Sequence, residues 1–198
     1  PAVCREPHVW CNQWPLGTTN RQRTPSPAPL RLQGFFMSTY DVLKRNYKFN
    51  RNRTLALMDE IAKDPNPQTA LAWRPGPGRA HIAWHLMHIA TTEEIFATER
   101  LAPEKERAFE DLWPRFRGGS TPDEDIPEAA AIRELLGDTR KALLSTLSEI
   151  SEDQLLTVPP ALAERKWRIL DALHIISWHE GHHQGQAHIT LNLYRAQQ

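Results

Sequence analysis

Helical periodicity constrains the fold of this chain more than any other feature. Four stretches place apolar residues at steps of three and four, within 41–63, 79–100, 121–150 and 168–194. No stretch alternates apolar and polar residues as a half-buried strand does. Proline- and glycine-rich segments separate the stretches, and the segment between the second and third is the long one, 101–120. The pattern predicts an all-α fold, a four-helix bundle with a long connection between helices 2 and 3.

Charge and composition exclude several classes of protein. The 198 residues carry 24 Lys+Arg and 24 Asp+Glu, a formal net charge of zero. A protein that coats nucleic acid or binds membranes through a polybasic surface needs a basic excess, so neither partner is expected. No apolar stretch approaches the length of a transmembrane helix. With nucleic acid and membranes excluded as partners, we expect a helical bundle that acts on small molecules.

Residues 1–36 differ in kind from the rest of the chain. They contain six prolines, four arginines and a single acidic residue, without helical or alternating periodicity. We expect a disordered extension, with Met37 as the natural start and 37–198 as the bundle domain. The cysteines, Cys4 and Cys11, both lie in this extension and are expected to be free thiols. With neither a secretory signal nor a disulfide framework in view, we expect a cytoplasmic location.

Histidines form two clusters that point to a metal. Apart from His8, three of the nine lie within 81–88 and five within 174–188. His179 and His183 are four residues apart, so on a helix their imidazoles share one face and can bind one ion. His88, in the middle of the predicted second helix, is the best third ligand, because helices 2 and 4 can face each other across a bundle. The spacing therefore predicts a three-histidine metal site with coordination positions open to water or substrate.

The other members of the clusters have alternative explanations. His81 and His85 are also four apart and could form a rival pair, although the periodicity places His85 off the core-facing stripe. Surface or supporting positions are expected for the five histidines of the clusters that are not selected as ligands, namely His81, His85, His174, His182 and His188. Packing in the core or at its edge is expected for three tryptophans, Trp84, Trp167 and Trp178.

Two sharper motifs overlap the histidine pair. His179 to His183 matches H-E-x-x-H, the zinc-protease helix in which the glutamate is the general base. Glu180 is therefore a candidate base, although adjacent helical positions diverge by about 100°, which favours Glu180 pointing away from the histidines. Glu180 with His183 also matches the E-x-x-H of di-iron bundles, but the second copy that those sites need is missing. On the first helix, polar Asn50 and Thr54 either support the site or bond locally.

Two segments together resemble a known family. Trp84-His85-Leu86-Met87-His88-Ile89-Ala90 and Trp178-His179-Glu180-Gly181-His182-His183-Gln184-Gly185-Gln186 are similar to the DinB/YfiT-like superfamily, and the resemblance extends over most of 38–195. It implies a four-helix bundle that holds a divalent metal on three histidines. By position these are His88, His179 and His183, the residues that the spacing had selected.

The resemblance also implies an activity and partners. Members of the family hold zinc or nickel, with manganese or iron as alternatives, and are commonly homodimers. Characterised members include S-transferases that use bacillithiol or mycothiol and a mycothiol-dependent isomerase. We therefore expect a metal-dependent transferase that activates a low-molecular-weight thiol or water toward an electrophilic substrate. The alternatives are a non-enzymatic, metal-stabilised stress or interaction module and an H-E-x-x-H-type zinc hydrolase.

Overall fold

The structure, a computed structural model, describes residues 37–198, and every regular element in that range is helical. Its α-helices are α1 (Thr39–Ile61), α2 (Pro67–Ala72), α3 (Ile82–Ile95), α4 (Trp113–Phe116), α5 (Ala129–Glu149) and α6 (Ile169–Arg195). A π-helical turn, Phe96–Arg100, continues α3, and 3-10 turns occupy Glu110–Leu112, Glu152–Leu156 and Pro160–Leu162. The long helices α1, α3, α5 and α6 confirm the predicted all-α four-helix bundle. The predicted extension, with Cys4 and Cys11, lies outside the described residues.

Side-chain caps fix where three of the four long helices, α1, α3 and α6, begin. The Ser38 hydroxyl accepts a hydrogen bond from the Asp41 amide at the start of α1. At the start of α3, His81 Nδ1 accepts from the Trp84 amide at 2.9 Å, so this buried histidine caps a helix. The Asp171 carboxylate accepts from the backbone and guanidinium of Arg168 at the start of α6. Of the predicted helix starts, only that of α5 is displaced by several residues.

That displacement has a physical cause. Thr121 and Glu124 have the spacing of a capping box, but the helix begins at Ala129. Residues 121–128 are instead held as an irregular loop. The guanidinium of Arg74 donates to the carbonyls of Pro122 and Asp123 and to the carboxylate of Glu124. Glu124 is therefore paired with an arginine rather than with a helix N-terminus.

Helix α3 lies at the centre of the bundle. It packs against both α5 and α6, and α1 packs against α6. Nearly every side chain from Ile82 to Glu94 is buried, including polar ones on the sides that a single apolar stripe would leave exposed. The central position of α3 therefore allows side chains on opposite sides of one helix to reach buried partners. No helix among residues 37–198 is long and apolar enough to cross a membrane.

The connection from α3 to α5 is ordered by a buried acid. Glu94 is 2 % exposed, and its carboxylate accepts hydrogen bonds from the Phe109 amide and the Trp113 indole, both at 2.8 Å. These bonds hold α4 against α3 and bring the carbonyl of Phe116 next to the helix. The chain then turns at Gly118 and Gly119, and Gly119 has a φ of +89°, which favours glycine.

Candidate metal centre

Three imidazoles meet where α3 packs against α6. His88 comes from α3, and His179 and His183 come from successive turns of α6. One ring nitrogen from each lies within 4.8 Å of the others, and His88 Nε2 is 3.0 Å from His179 Nε2. Nitrogens this close can share one metal ion, because zinc–imidazole bonds are about 2.0–2.1 Å long. The structure thus brings together the three histidines that the sequence had selected.

The ring of His88 is held in one orientation and one tautomer. Its Nδ1 lies 2.6 Å from the carbonyl oxygen of Phe116, which can only accept, so Nδ1 carries the proton. The lone pair of Nε2 is therefore free and directed toward the other histidines. Trp84 stacks on the imidazole at 4.6 Å and 18°, and its own indole donates to the Arg115 carbonyl and the Ser120 hydroxyl. Such fixed partners raise the affinity of a histidine ligand for its metal.

His183 has a hydrogen-bond partner in His85, a residue that the periodicity had placed off the core-facing stripe. His85 Nδ1 lies 3.2 Å from His183 Nδ1, and His85 is only 8 % exposed. The prediction that His85 falls off the core-facing side was wrong, because α3 is buried all round. When His183 Nδ1 donates this hydrogen bond to His85 Nδ1, the Nε2 of His183 keeps its lone pair for a metal. The spacing of His85 and His88, three residues apart on one helix, was the available signal.

The histidines of this site remain neutral at physiological pH. Burial, and secondarily the neighbouring imidazoles, lowers the pKa of His179 to about 3 and that of His85 to about 4. The pKa of His88 is also lowered by burial. Only neutral imidazole offers a lone pair to a metal, so these shifts favour ligation. A cluster of neutral imidazoles suits zinc, nickel, iron and copper better than magnesium or calcium, which prefer oxygen ligands.

The carboxylate of Glu180 contacts residues of the bundle core and not the histidines. It is 1 % exposed, and its Oε1 accepts from Arg51 Nε at 2.7 Å and from the Thr54 hydroxyl at 2.9 Å. Its Oε2 pairs with Arg140. Both carboxylate oxygens are therefore engaged on the side of α6 away from the metal centre, as the angular separation of neighbouring helical residues favoured. This arrangement argues against Glu180 as a base and against the H-E-x-x-H interpretation.

The two polar residues of α1 contact α6 without reaching the histidines. Thr54 makes both the local bond, to the Asn50 carbonyl at 3.2 Å, and the bond to Glu180. Asn50 donates to the carbonyl of Ser177 at 2.7 Å. They tie α1 to the helix that carries two of the candidate ligands.

The remaining clustered residues lie outside the three-histidine site. His174 and His182 are exposed, and His188 is half-buried. Trp178 is 60 % exposed and stacks on His182 at 4.8 Å, so the prediction that it packs in the core was wrong. Trp84 is buried as predicted, and Trp167 packs at the edge of the core.

A cavity of about 300 Å³ opens beside His88 and His179. The end of α3, the turn after α4 and the segment before α6 form its walls. Apolar side chains from these segments line much of it, namely Ile95, Phe96, Leu162, Trp167 and Ile175. The metal centre is therefore reached through a pocket of the size that a small molecule occupies.

Comparison with known families agrees with this architecture. The profile of the DinB superfamily matches residues 46–187, which include the three clustered histidines. The chain belongs to the DinB superfamily. In this DinB protein the matched region covers α2 to α5 entirely and most of α1 and α6, so the family match and the bundle coincide. A search of curated proteins found no match.

Proposed function

We propose that this DinB protein holds a divalent metal ion, zinc or nickel, on His88, His179 and His183 and uses it in a transferase reaction with a low-molecular-weight thiol or water. The observation that supports the proposal most directly is the convergence of three neutral imidazole nitrogens within 4.8 Å beside an open cavity. A divalent ion bound there would lower the pKa of a thiol or water, supplying a nucleophile at neutral pH.

The chain's own residues would prepare the site in three ways. The Phe116 carbonyl holds the proton of His88 on Nδ1, and the stacked Trp84 ring fixes the plane of that imidazole. His85 holds His183 through its Nδ1. Apolar side chains line part of the cavity, so a substrate bound there would displace water from around the reacting groups and strengthen electrostatic interactions between them.

The number of donors distinguishes an enzyme from a metal-stabilised module. Structural zinc sites are closed by four protein ligands, whereas catalytic sites keep a position open. Within residues 37–198, no fourth histidine, cysteine or carboxylate joins the cluster of His88, His179 and His183. His182, the adjacent histidine, is exposed and stacks on Trp178. The donor set supports an open site and therefore the enzymatic proposal.

A thiol-binding experiment tests the proposal. The full chain, loaded with Co²⁺ as a spectroscopic substitute, is titrated with a small thiol, and sulfur-to-metal charge-transfer absorption is recorded. Conjugation of the same thiol to a bromobimane electrophile is then followed with the zinc- or nickel-loaded protein. We expect the absorption band and metal-dependent conjugation, and the loss of both in His88→Ala and His183→Ala. His174→Ala, at an exposed position of the same helix, is the matched control.

The alternative gives a different result. If the metal binds and raises the melting temperature but no thiol or water exchanges at it, the protein is a metal-stabilised module. Such a result, with no conjugation above background, would contradict the transferase proposal.

A further inference from the structure

The cavity beside the candidate metal centre is lined by basic residues from three segments. Arg100 ends the π-helical turn after α3, Arg117 follows α4, and Arg165 precedes α6. All three line the cavity that His88 and His179 border. No residue lining it is acidic. A chain with zero net charge therefore lines one small opening with three arginines and no acidic residue.

Two of these arginines make no ion pair within the described part of the chain. Neither Arg117 nor Arg165 has a carboxylate within salt-bridge distance among residues 37–198. Arg100 pairs with Glu99 at 2.9 Å and donates to the Ala161 carbonyl at 3.3 Å, which leaves other N–H groups available. Guanidinium groups that line a cavity without an acidic partner make it attractive to anions, because low-dielectric walls focus the field.

One of these arginines, Arg165, is held against an aromatic ring in the wall of the cavity. The guanidinium of Arg165 lies over the ring of Trp167, 4.9 Å from the ring centroid, which limits where its N–H groups can point. Apolar side chains, Ile95, Phe96 and Ile175, line the same cavity. The cavity thus combines cationic side chains, apolar side chains and the imidazoles of the candidate metal centre in one lining.

From this arrangement we infer that the cavity binds a small molecule that carries an oxyanion, a carboxylate or a phosphate, with the anion on Arg117 and Arg165 and the reacting end at His88 and His179. Arginine recognises both anions through paired N–H groups, which is the chemistry that the two share. The volume of about 300 Å³ lies at the lower end of small-molecule pockets and limits the ligand to a compact one. The inference rests on the proposed function, because it names the substrate class of the same site.

Matched thiols test the inference directly. Dissociation constants for 3-mercaptopropionate and for its neutral counterpart, 3-mercapto-1-propanol, are measured by calorimetry on the metal-loaded full chain. We expect the anionic thiol to bind about tenfold or more tightly, as charge-assisted hydrogen bonds allow, and the preference to shrink with added salt. In the double variant Arg117→Gln/Arg165→Gln the two thiols should bind alike, with metal affinity unchanged. Arg45→Gln, exposed on α1 away from the cavity, should keep the preference.

Anions without a thiol separate this inference from the proposed function. Benzoate and phenyl phosphate are titrated into the wild-type chain, His88→Ala and the arginine double variant. Arginine-dependent binding that survives in His88→Ala supports the anion site even if the metal chemistry fails, and the tighter of the two probes identifies carboxylate or phosphate as the preferred group. Equal binding of the charged and neutral thiols to the wild type would overturn the inference, as would unchanged anion binding by the double variant. Circular dichroism and melting of the double variant check that it folds.

Discussion

His88 and His183 are each held by one hydrogen bond at Nδ1, and a ring that donates there keeps its Nε2 lone pair for a metal. The Phe116 carbonyl is the partner of His88, and His85 is the partner of His183. These partners determine which nitrogen can bind a metal, and that cannot be deduced from the positions of the candidate ligands alone. At the residue scale, the affinity of the site should therefore depend on residues that do not touch the ion.

His85 offers the clearest test of that dependence. We expect His85→Ala to weaken metal binding by about 10- to 100-fold, because His183 loses the partner that orients it. Competition with a chromophoric chelator gives the dissociation constant. His174→Ala, exposed on α6, should leave it unchanged. Wild-type affinity in His85→Ala would show that His183 needs no such partner.

The depressed pKa values predict how the metal-free protein responds to acid. In the unfolded chain histidine titrates with a pKa of about 6.5, whereas burial lowers the pKa of His179 to about 3 and that of His85 to about 4. Below about pH 6.5 the unfolded chain therefore binds more protons than the folded one. The free energy of unfolding then decreases as the pH is lowered from about 6.5 toward the pKa values of the folded state.

Urea unfolding of chelator-treated protein, repeated from about pH 7 down to about pH 5, should show this loss of stability. Carboxylates contribute to acid unfolding as well, so the wild type is compared with His179→Gln, which should have a smaller dependence on pH. Equal dependence in the two proteins would contradict the assignment of a half-buried, neutral His179.

At the scale of elements, a buried group of four charges joins the long helices. Arg51 of α1 pairs with Glu93 of α3 and Glu180 of α6, and Arg140 of α5 pairs with the same two glutamates. Each of these side chains is at most 10 % exposed. A charge left without its partner at such a position is costly, so the network favours this arrangement of helices over others.

Arg140→Met should lower the free energy of unfolding by about 3–5 kcal/mol, since it leaves Glu93 and Glu180 short of a buried cation. Arg133→Met is the matched control on the same helix, because the Arg133–Asp59 pair is exposed (42 % and 63 %) and such pairs contribute about 0–1 kcal/mol. Chemical denaturation measures both. A similar decrease in the free energy of unfolding in the two variants would show that the buried network stabilises the fold no more than an exposed ion pair does.

The connection between α3 and α5 provides a second test at this scale. Glu94→Ala leaves the half-buried Phe109 amide and the buried Trp113 indole without their acceptor, and the buried indole alone costs about 1–3 kcal/mol. Relative to the wild type, we expect amide hydrogen exchange in this variant to become faster in 101–120 but not in α5. Because the same connection carries the Phe116 carbonyl, metal affinity should also fall. Unchanged exchange in 101–120 would show that Glu94 does not anchor the segment.

For the whole molecule, helical periodicity was enough to predict the bundle, because α1, α5 and α6 each bury one recurrent side and no strand pattern competes. The pairing of α3 with α6 could be anticipated only as a way to bring His88 near His179, since tertiary neighbours leave no local signal. Arg51, Glu93 and Arg140 were missed because charged residues normally mark the exposed side of a helix. Their burial becomes apparent only when partners from different helices are placed together.

Sequence reasoning also failed where the surroundings overrode a local pattern. Trp178 was expected in the core or at its edge, yet it is 60 % exposed and stacks on His182. The Thr121–Glu124 pattern was overridden by Arg74, which is distant in sequence. The cavity arginines had no sequence signal either, because Arg100, Arg117 and Arg165 meet only through the fold.

Metal binding by the purified full chain tests the central claim most directly. The protein is stripped with chelator, titrated with Zn²⁺ or Ni²⁺, and followed by metal analysis and thermal unfolding beside His88→Ala, His179→Ala, His183→Ala and His174→Ala. We expect one ion per chain in the wild type and His174→Ala, with a melting temperature that rises with free metal, since a ligand at about 100 times its dissociation constant adds about 2.7 kcal/mol of stability. The other three variants should lose both the bound ion and the metal-dependent rise in melting temperature. Failure of the wild type to bind one ion per chain, or retention of the ion by all three histidine variants, would contradict the three-histidine metal centre.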